Sequence, residues 1–179
     1  MLLMRFPWAP ADAATRALPA ACRQAAGSAI LDALLAAGAD VTSRNDGELP
    51  CVEAARGGDA ETIRWLLEHG ADVDEADRFA NTPLAAACLY GHTRAAAEVV
   101  AAGADLHKTG NAAGWCPLAI AADAGRADCV EVLLAAGVRA GAQDRTGRSP
   151  AERAKESGHE RLAQRLRALQ AEEGATAMR

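Results

Sequence analysis

The sequence predicts an all-α solenoid of about five helix-turn-helix units, joined by finger loops that resemble β-hairpins. Three observations predict this fold. A proline is followed eight residues later by a glycine at five places, a Gly-Ala-Asp tripeptide keeps the same period, and a pair of aliphatic residues precedes it. A period of about 20 to 50 residues is the signature of stacked repeats, in which each unit buries its apolar face against its neighbours.

The proline and glycine pairs predict the first helix of each unit. Successive prolines are 31, 33, 34 and 33 residues apart. A proline is tolerated in the first turn of a helix because its missing N–H has no partner there, and a glycine readily adopts the left-handed conformation that ends a helix. Thr82 and Ser149 precede two of the prolines and are predicted N-caps. The pairs are Pro19/Gly27, Pro50/Gly58, Pro83/Gly91, Pro117/Gly125 and Pro150/Gly158.

The aliphatic pairs predict the second helix of each unit. We expect this helix to end at the glycine of the tripeptide, which is Gly38, Gly70, Gly103 or, in a degenerate copy, Gly137. The stretch from there to the next proline is polar and rich in turn residues, so it is expected to form a finger loop. The pairs are Leu34-Leu35, Leu66-Leu67, Val99-Val100 and Leu133-Leu134.

The third unit resembles the ankyrin repeat almost residue for residue, in Asn81-Thr82-Pro83-Leu84, Gly91-His92 and Gly103-Ala104-Asp105. The resemblance extends over roughly residues 11–170. It implies a curved stack of helix-turn-helix repeats with β-turn fingers, whose concave side binds partners. The expected organisation is an N-terminal arm or lid at 1–10, repeats at approximately 11–43, 44–76, 77–110, 111–143 and 144–171, and a disordered tail at 172–179.

The chain departs from the ankyrin pattern at two positions of the repeat. The threonine that the family places before the proline is Leu49 in the second repeat and Cys116 in the fourth. Each replacement is expected to weaken the helix cap by about 1 kcal/mol. The family's histidine two positions after the proline is absent, and the residues found there are Val52, Ala85, Ala119 and Glu152.

The two ends of the array are expected to be polar or covered, because a terminal repeat lacks one neighbour. Leu162, Leu166 and Leu169 have helical spacing and are expected to face inward. Phe6 and Trp8 are expected to fold over the first repeat as a lid, with an arm that inserts into a partner as the alternative. The polar residues expected to coat the last helix pair are Glu152, Arg153, Lys155, Glu156, His159, Glu160, Arg161, Gln164, Arg165 and Arg167.

Composition argues against several classes of partner. The net charge of -5 opposes binding to nucleic acid, which usually needs a concentrated basic face. No apolar run approaches the length of a membrane span or of a secretory signal, so we expect a cytoplasmic protein with no membrane partner. The five cysteines have no metal-ligand spacing, which favours buried free thiols and predicts no metal and no cofactor.

The four histidines do not predict an active site. His69, His92 and His159 fall at helix ends or inter-helix turns, and His107 falls in a finger. On a repeat scaffold these side chains are expected about one repeat apart, whereas catalysis needs groups that meet in space. We therefore predict no enzyme activity. A ligand-binding or enzymatic role near His107 is the alternative from a different class.

The few aromatic residues fall at positions that the ankyrin family leaves variable on its binding side. Phe79 falls at a finger tip, Tyr90 at the end of a first helix, and Trp115 two residues before a proline. Aromatic residues and arginine dominate interface hot spots, so these three predict the centre of a partner-binding surface. The alternative is that each packs over an adjacent repeat. Trp65, in a second helix, is expected to pack in the core or on the convex side.

Further partner-binding residues are predicted at the same variable positions. Their charges are mixed, with arginine slightly ahead, although part of this set is expected to be only a solvated rim. These residues are Arg44, Asp46, Glu48, Arg56, Arg78, Asn81, Leu89, Asp123, Arg145 and Arg148.

One finger is longer than the others. The prolines Pro83 and Pro117 are one residue further apart than their neighbours, and the glycine-rich stretch 108–114 lies between them. Either this insertion re-aims Trp115 toward a ligand, or it is a tolerated loop insertion.

The predicted function is a non-catalytic protein-protein interaction module that is monomeric when unbound and grips a protein partner with its concave face and finger loops. An inhibitor or immunity-type protein that occludes a specific enzyme or toxin is the first alternative, because small stand-alone ankyrin proteins are used in this way. A structural protein that self-associates through its N-terminal end is the other.

Overall fold

The computed structural model describes residues 10–45, 47–111 and 113–177, and this part of the chain contains ten α-helices. Its strand pairing is a single isolated bridge between Asn45 and Glu48 in the second repeat's finger. The helices are α1 (Pro10–Arg23), α2 (Ser28–Ala36), α3 (Pro50–Gly57), α4 (Ala60–Glu68), α5 (Pro83–Tyr90), α6 (Thr93–Ala101), α7 (Pro117–Asp123), α8 (Ala127–Ala135), α9 (Pro150–Glu156) and α10 (Glu160–Ala177).

The helices form two layers, which confirms the all-α solenoid. The odd-numbered helices pack in succession as an inner layer, each against the next. Among the even-numbered helices, α4 packs on α6 and α6 on α8, and each helix also packs on its partner within the repeat. One apolar cluster runs through the stack from Leu18 to Leu166. Much of that cluster is alanine, which lets neighbouring helices approach closely.

The inner helices of the second to fifth repeats begin at the predicted prolines. The Thr82 hydroxyl accepts the Ala85 N–H at 3.2 Å, and Ser149 forms a reciprocal capping box with Glu152. The caps at Leu49 and Cys116 make no side-chain hydrogen bond, as predicted. These two helices therefore rely on packing for their N-terminal ends.

The first repeat departs from the predicted pattern. Pro19 does not open a helix: it lies inside α1, and Gly27 precedes α2 instead of ending the first helix. A proline in a helix interior leaves the carbonyl four residues earlier without its N–H donor. That carbonyl belongs to Thr15, and the Asn45 side-chain amide of the next repeat donates to it. A contact between repeats thus compensates for the proline.

The long finger differs from its neighbours in its turn. In the third and fifth repeats, the Asp77 and Asp144 N–H groups donate to the carbonyls four residues later. In the fourth, the Gly110 N–H reaches the Trp115 carbonyl at 2.8 Å, five residues later, so the extra residue lies in the turn. A Cβ on Gly110 would lie 2.1 Å from that of Ala85, because the finger backbone packs directly on α5.

The C-terminal end is more ordered than predicted. The sequence predicted a disordered tail from Glu172, but α10 continues to Ala177. The Glu173 carboxylate accepts the Ala140 N–H at 2.8 Å, which ties this extension to the preceding repeat. Leu162 and Leu166 are buried, as expected. The predicted N-terminal lid, with Phe6 and Trp8, lies outside the described residues.

No helix in the described ranges is long and apolar enough to cross a membrane.

Candidate functional site

The third repeat exposes three large apolar side chains. Phe79 is 54% exposed at the tip of its finger, while Leu89 and Tyr90, at the end of α5, are 42% and 49% exposed. We call these three residues the third-repeat surface. Ile30, on α2, is exposed to the same degree, and the sequence reasoning did not single it out.

The finger tip holds Phe79 outward by a tight turn. The Asp77 carboxylate accepts the N–H groups of Phe79 and Asn81 at 2.8 and 2.9 Å. Ala80 has a left-handed backbone with φ of 64°, where the other fingers carry a glycine. A residue with a Cβ is strained in this conformation. The Arg78 guanidinium lies 4.8 Å from the centre of the Phe79 ring, within reach of a cation–π contact.

The fourth repeat and the second repeat fix the end of α5. The Arg126 Nε donates to the Leu89 carbonyl at 3.2 Å. The Tyr90 ring stacks with His92 at 6.3 Å between centroids, and the His92 Nε2 lies 3.0 Å from the Arg56 carbonyl. Leu89 and Tyr90 are therefore presented on a backbone that neighbouring repeats hold from both sides. Sequence reasoning missed Arg126 because its contact is non-local.

Trp115 has a different environment. Its ring is half-buried beneath Arg153, whose guanidinium carbon lies 4.0 Å from the ring centre. The same guanidinium forms a buried ion pair with Asp144 at 2.7 Å. The sequence placed Arg153 on the polar outer face of the last repeat, and this was wrong. Arg153 lies three residues after Pro150, and at this position of α9 its side chain faces inward and covers Trp115.

Asp144 stays ionised under this cover. Burial raises the pKa of its carboxyl, but hydrogen bonds from Thr146, from Arg153 and from the Arg148 backbone outweigh burial and lower the pKa to about 2. Its side chain has no exposed area. Asp144 and Arg153 therefore form a fixed structural pair.

A second buried carboxylate links the first three repeats. Glu53 occupies the position of Arg153 in the second repeat and is fully buried. It pairs with Arg23 from α1 and with Arg56 at 2.6 Å, and Arg56 also reaches Asp77 at 2.6 Å. Glu53 and Arg153 both lie three residues after the proline that opens their repeat's inner helix. Sequence reasoning overlooked this recurrence of a charged residue at an inward position.

Most of the other predicted binding residues have partners within the chain. Glu48 pairs with Arg23, Arg44 with Glu75, and Arg148 with Glu156. Asp123 accepts the Ser157 hydroxyl, Asn81 donates to Asp77, and the Arg145 side chain packs over Gly114. Asp46 lies outside the described residues. Their contacts in the structure are intramolecular, and their role in binding stays a prediction.

Two of the four histidines, His92 and His159, pack between repeats. The rings of His92 and His159 lie against Gly58 and Gly125, where a Cβ would come within 2.6 and 2.4 Å of them. Trp65 packs on the outer layer, where its Nε1 donates to Asp32 at 2.8 Å. Within the described part of the chain, no group of His, Cys, Asp and Glu is arranged to hold a metal ion.

Stacked two-helix repeats joined by finger loops define a helical repeat protein. A family model for three ankyrin repeats matches residues 18–110, and a model for a single ankyrin repeat matches residues 113–145. The chain belongs to the ankyrin repeat family.

Similar curated proteins include kinase inhibitors and a bacterial repeat protein. Cyclin-dependent kinase 4 inhibitor B of Bos taurus is 34% identical over 126 residues, which is 70% of this chain and 95% of the relative. The Rattus norvegicus protein of the same name is 36% identical over 64% of this chain and 88% of its own length. The putative ankyrin repeat protein YahD of Escherichia coli is 32% identical over 77% of this chain and 72% of its own.

Proposed function

We propose that this protein is a non-catalytic interaction module that binds a folded protein partner through the third-repeat surface and the finger loops beside it. The observation that carries the proposal is the exposure of Phe79, Leu89 and Tyr90. The sequence contains only 3% aromatic residues, so two of them in solvent on one repeat need a reason beyond packing. Tyrosine is enriched among interface hot spots, and large rings bury much area at little entropic cost.

The rigidity of this surface supports the same proposal. Asp77 holds the finger turn, and Arg126 and His92 hold the end of α5, so little ordering cost is left to binding. Strained backbone, such as that of Ala80 beside Phe79, is concentrated at functional sites.

The charges around the apolar centre favour one kind of partner. Arg78 is exposed beside Phe79 and Arg126 is exposed beside Leu89, although the whole chain carries a net charge of -5. A partner that inserts apolar side chains and carries acidic groups at its rim complements this arrangement. The proposal also holds that the protein is monomeric before it binds its partner.

A second, narrower form of the proposal is that this protein inhibits its partner. Relatives that align over 64% to 70% of this chain are named as inhibitors of a cyclin-dependent kinase. An enzyme, with protein kinases as the first class to test, is therefore the favoured partner, and the array acts by occluding it. A scaffold, in contrast, leaves its partner active.

Affinity capture tests the proposal. Immobilised wild-type protein, a Phe79→Ala/Leu89→Ala/Tyr90→Ala variant and an Ile30→Ala control are incubated with soluble extract and with purified protein kinases, and retained proteins are quantified by mass spectrometry. Ile30 is a matched control because it is equally exposed but lies on the outer helix α2. Truncating hot-spot residues costs about 1 to 2 kcal/mol each, so we expect at least about a tenfold loss of one partner with the triple variant alone.

Equal retention by the triple variant, with circular dichroism unchanged, contradicts the proposed surface. If the partner is an enzyme, its activity is then measured with a stoichiometric amount of this protein. Loss of activity supports inhibition, and unchanged activity contradicts it while leaving the binding proposal intact.

A further inference from the structure

One residue of the second repeat contacts the supports of both aromatic residues of the third-repeat surface. Phe79 belongs to the third finger and Tyr90 to the end of α5, so contacts outside each element must set their relative position. Arg56, near the C-terminal end of α3, contacts Asp77 in the finger and His92 after α5. These contacts place the same residue behind both rings.

The Arg56 side chain supports Phe79. Its Nη2 donates to the Asp77 Oδ2 at 2.6 Å, while Oδ1 of the same carboxylate accepts the N–H groups of Phe79 and Asn81 at 2.8 and 2.9 Å. The Asp77 side chain is only 2% exposed, so water competes little for these charge-assisted bonds. The turn that presents Phe79 is therefore anchored on the preceding repeat.

The Arg56 main chain supports Tyr90. The His92 Nε2 lies 3.0 Å from the Arg56 carbonyl, and this nitrogen is the donor because a carbonyl oxygen only accepts. The His92 ring also lies against Gly58, the residue that ends α3, and it stacks with Tyr90 at an interplanar angle of 17°. The end of α3 therefore fixes the ring on which Tyr90 rests.

The first repeat and a buried carboxylate hold Arg56 in place. The Arg56 Nη1 donates to the Glu53 Oε1 at 2.6 Å, and the Arg23 Nε from α1 donates to the other oxygen of Glu53. The Glu53 side chain is fully buried and that of Arg56 is 20% exposed. Both Nη groups of Arg56 thus donate within the chain, and little of the side chain is left to touch a partner.

The fifth finger provides an internal comparison. There, Asp144 accepts two backbone N–H groups of its own finger and pairs with Arg153 of the same repeat. For Asp77, the arginine comes instead from the preceding repeat. A change at Arg56 is therefore expected to loosen the third finger and to leave the fifth finger intact.

We propose that Arg56 is a positioning residue for partner binding, which fixes Phe79 through Asp77 and Tyr90 through His92 so that the two rings meet the partner as one preformed surface. This inference rests on the function proposed above, because it assigns Arg56 to the support of that surface. A preformed surface binds more tightly, since ordering loose side chains and loops opposes binding. Arg56 then contributes to affinity without touching the partner.

Hydrogen exchange of the free protein, measured by NMR, tests the positioning without a partner. In Arg56→Gln, the Phe79 amide is expected to exchange at least about tenfold faster than in the wild type, because Asp77 is held by fewer bonds. The Thr146 amide, which bonds to Asp144 in the fifth finger, is expected to keep its rate. An unchanged Phe79 rate overturns the proposal.

A second variant covers the case in which Arg56→Gln does not fold. Arg56→Gln leaves the buried Glu53 carboxylate with one cation fewer. The double variant Arg56→Gln/Glu53→Gln removes both charges together, and the same change in the Phe79 rate is expected of it.

A double-mutant cycle separates positioning from direct contact. The probe is the partner retained by the wild-type protein, and its Kd is measured for Arg56→Gln in the wild-type background and in a Phe79→Ala/Tyr90→Ala background. Positioning predicts a loss of at least about fivefold in the first background and of less than about twofold in the second, where no rings remain to be held. An equal loss in both backgrounds means that Arg56 itself touches the partner, which overturns the proposal.

The contact between His92 and Arg56 is tested by His92→Phe. This variant keeps a ring beside Tyr90 but cannot donate to the Arg56 carbonyl, so we expect Kd to rise at least about fivefold. His159→Phe, at the matching position of the fifth repeat, is expected to leave Kd within about twofold. Equal effects of the two variants contradict the support of Tyr90 through His92.

The same measurements distinguish a failure of this inference from a failure of the proposed function. Loss of the partner in the Phe79→Ala/Leu89→Ala/Tyr90→Ala variant, with an unchanged Kd in Arg56→Gln, overturns the role of Arg56 alone. Retention of the partner by the triple variant overturns the proposed function and, with it, the role of Arg56 in binding.

Discussion

The third and fourth repeats carry the same sequence signal but use it differently. Phe79 and Tyr90 in the third repeat, and Trp115 in the fourth, are all predicted from the sequence to lie on the same binding side. Phe79 and Tyr90 are about half exposed, whereas the Trp115 ring is covered by Arg153 from the fifth repeat. In this chain, the predicted aromatic residues are therefore exposed in the third repeat, whereas a side chain from the next repeat covers the one in the fourth.

The largest expected effect comes from removing the cover of Trp115. Arg153→Ala leaves Asp144 buried without its cation, and the loss of one member of a buried ion pair costs about 3 to 5 kcal/mol. Urea unfolding measures this change. Arg148→Ala is the control, because the Arg148 pair with Glu156 is exposed and is expected to be worth less than about 1 kcal/mol. Equal losses in the two variants contradict the structural role of Arg153.

Acid provides a second test of the covered region. The pKa of Asp144 falls from 3.8 to about 2 on folding, so its contribution to stability is complete above pH 3.8 and is lost as the pH falls toward 2. This contribution amounts to about 2 kcal/mol. The free-energy difference between wild type and Asp144→Asn, measured by urea unfolding, is expected to shrink between pH 4 and pH 2. A difference that stays constant over this range contradicts the assignment.

The smallest expected change in stability comes from the finger that carries Phe79 and Ala80. Ala80→Gly relieves a left-handed backbone, and we expect stabilisation by about 1 kcal/mol in thermal unfolding. Gly147→Ala is the reverse change at the matching position of the fifth repeat, where φ is 79° and a Cβ meets no atom. It is expected to destabilise the protein by a similar amount. Destabilisation by Ala80→Gly shows that this turn is not strained.

Sequence reasoning predicted the periodic part of the fold. The prolines from Pro50 onward mark the inner helices correctly, because a cap and an N1 proline act locally. Pro19 misled the prediction, since its place inside α1 depends on a hydrogen bond from Asn45 in the next repeat. The helical extension to Ala177 was missed for a similar reason, because Glu173 binds the preceding repeat.

The candidate site was predictable only in part. The exposure of Phe79, Leu89 and Tyr90 follows from their positions in the repeat. The burial of Glu53 and Arg153 does not, since each charge is tolerated only because partners from other elements meet it in space. Long-range ion pairs of this kind leave no local pattern in a single sequence.

The comparison between the two repeats is tested most directly by the partner affinity of two single variants. Tyr90→Ala and Trp115→Ala each remove one aromatic side chain, and binding to the captured partner is measured by calorimetry at a temperature at which both variants are folded. We predict that Tyr90→Ala weakens binding at least about tenfold, corresponding to about 1.4 kcal/mol, while Trp115→Ala leaves Kd within about twofold. A larger loss for Trp115→Ala than for Tyr90→Ala contradicts the account.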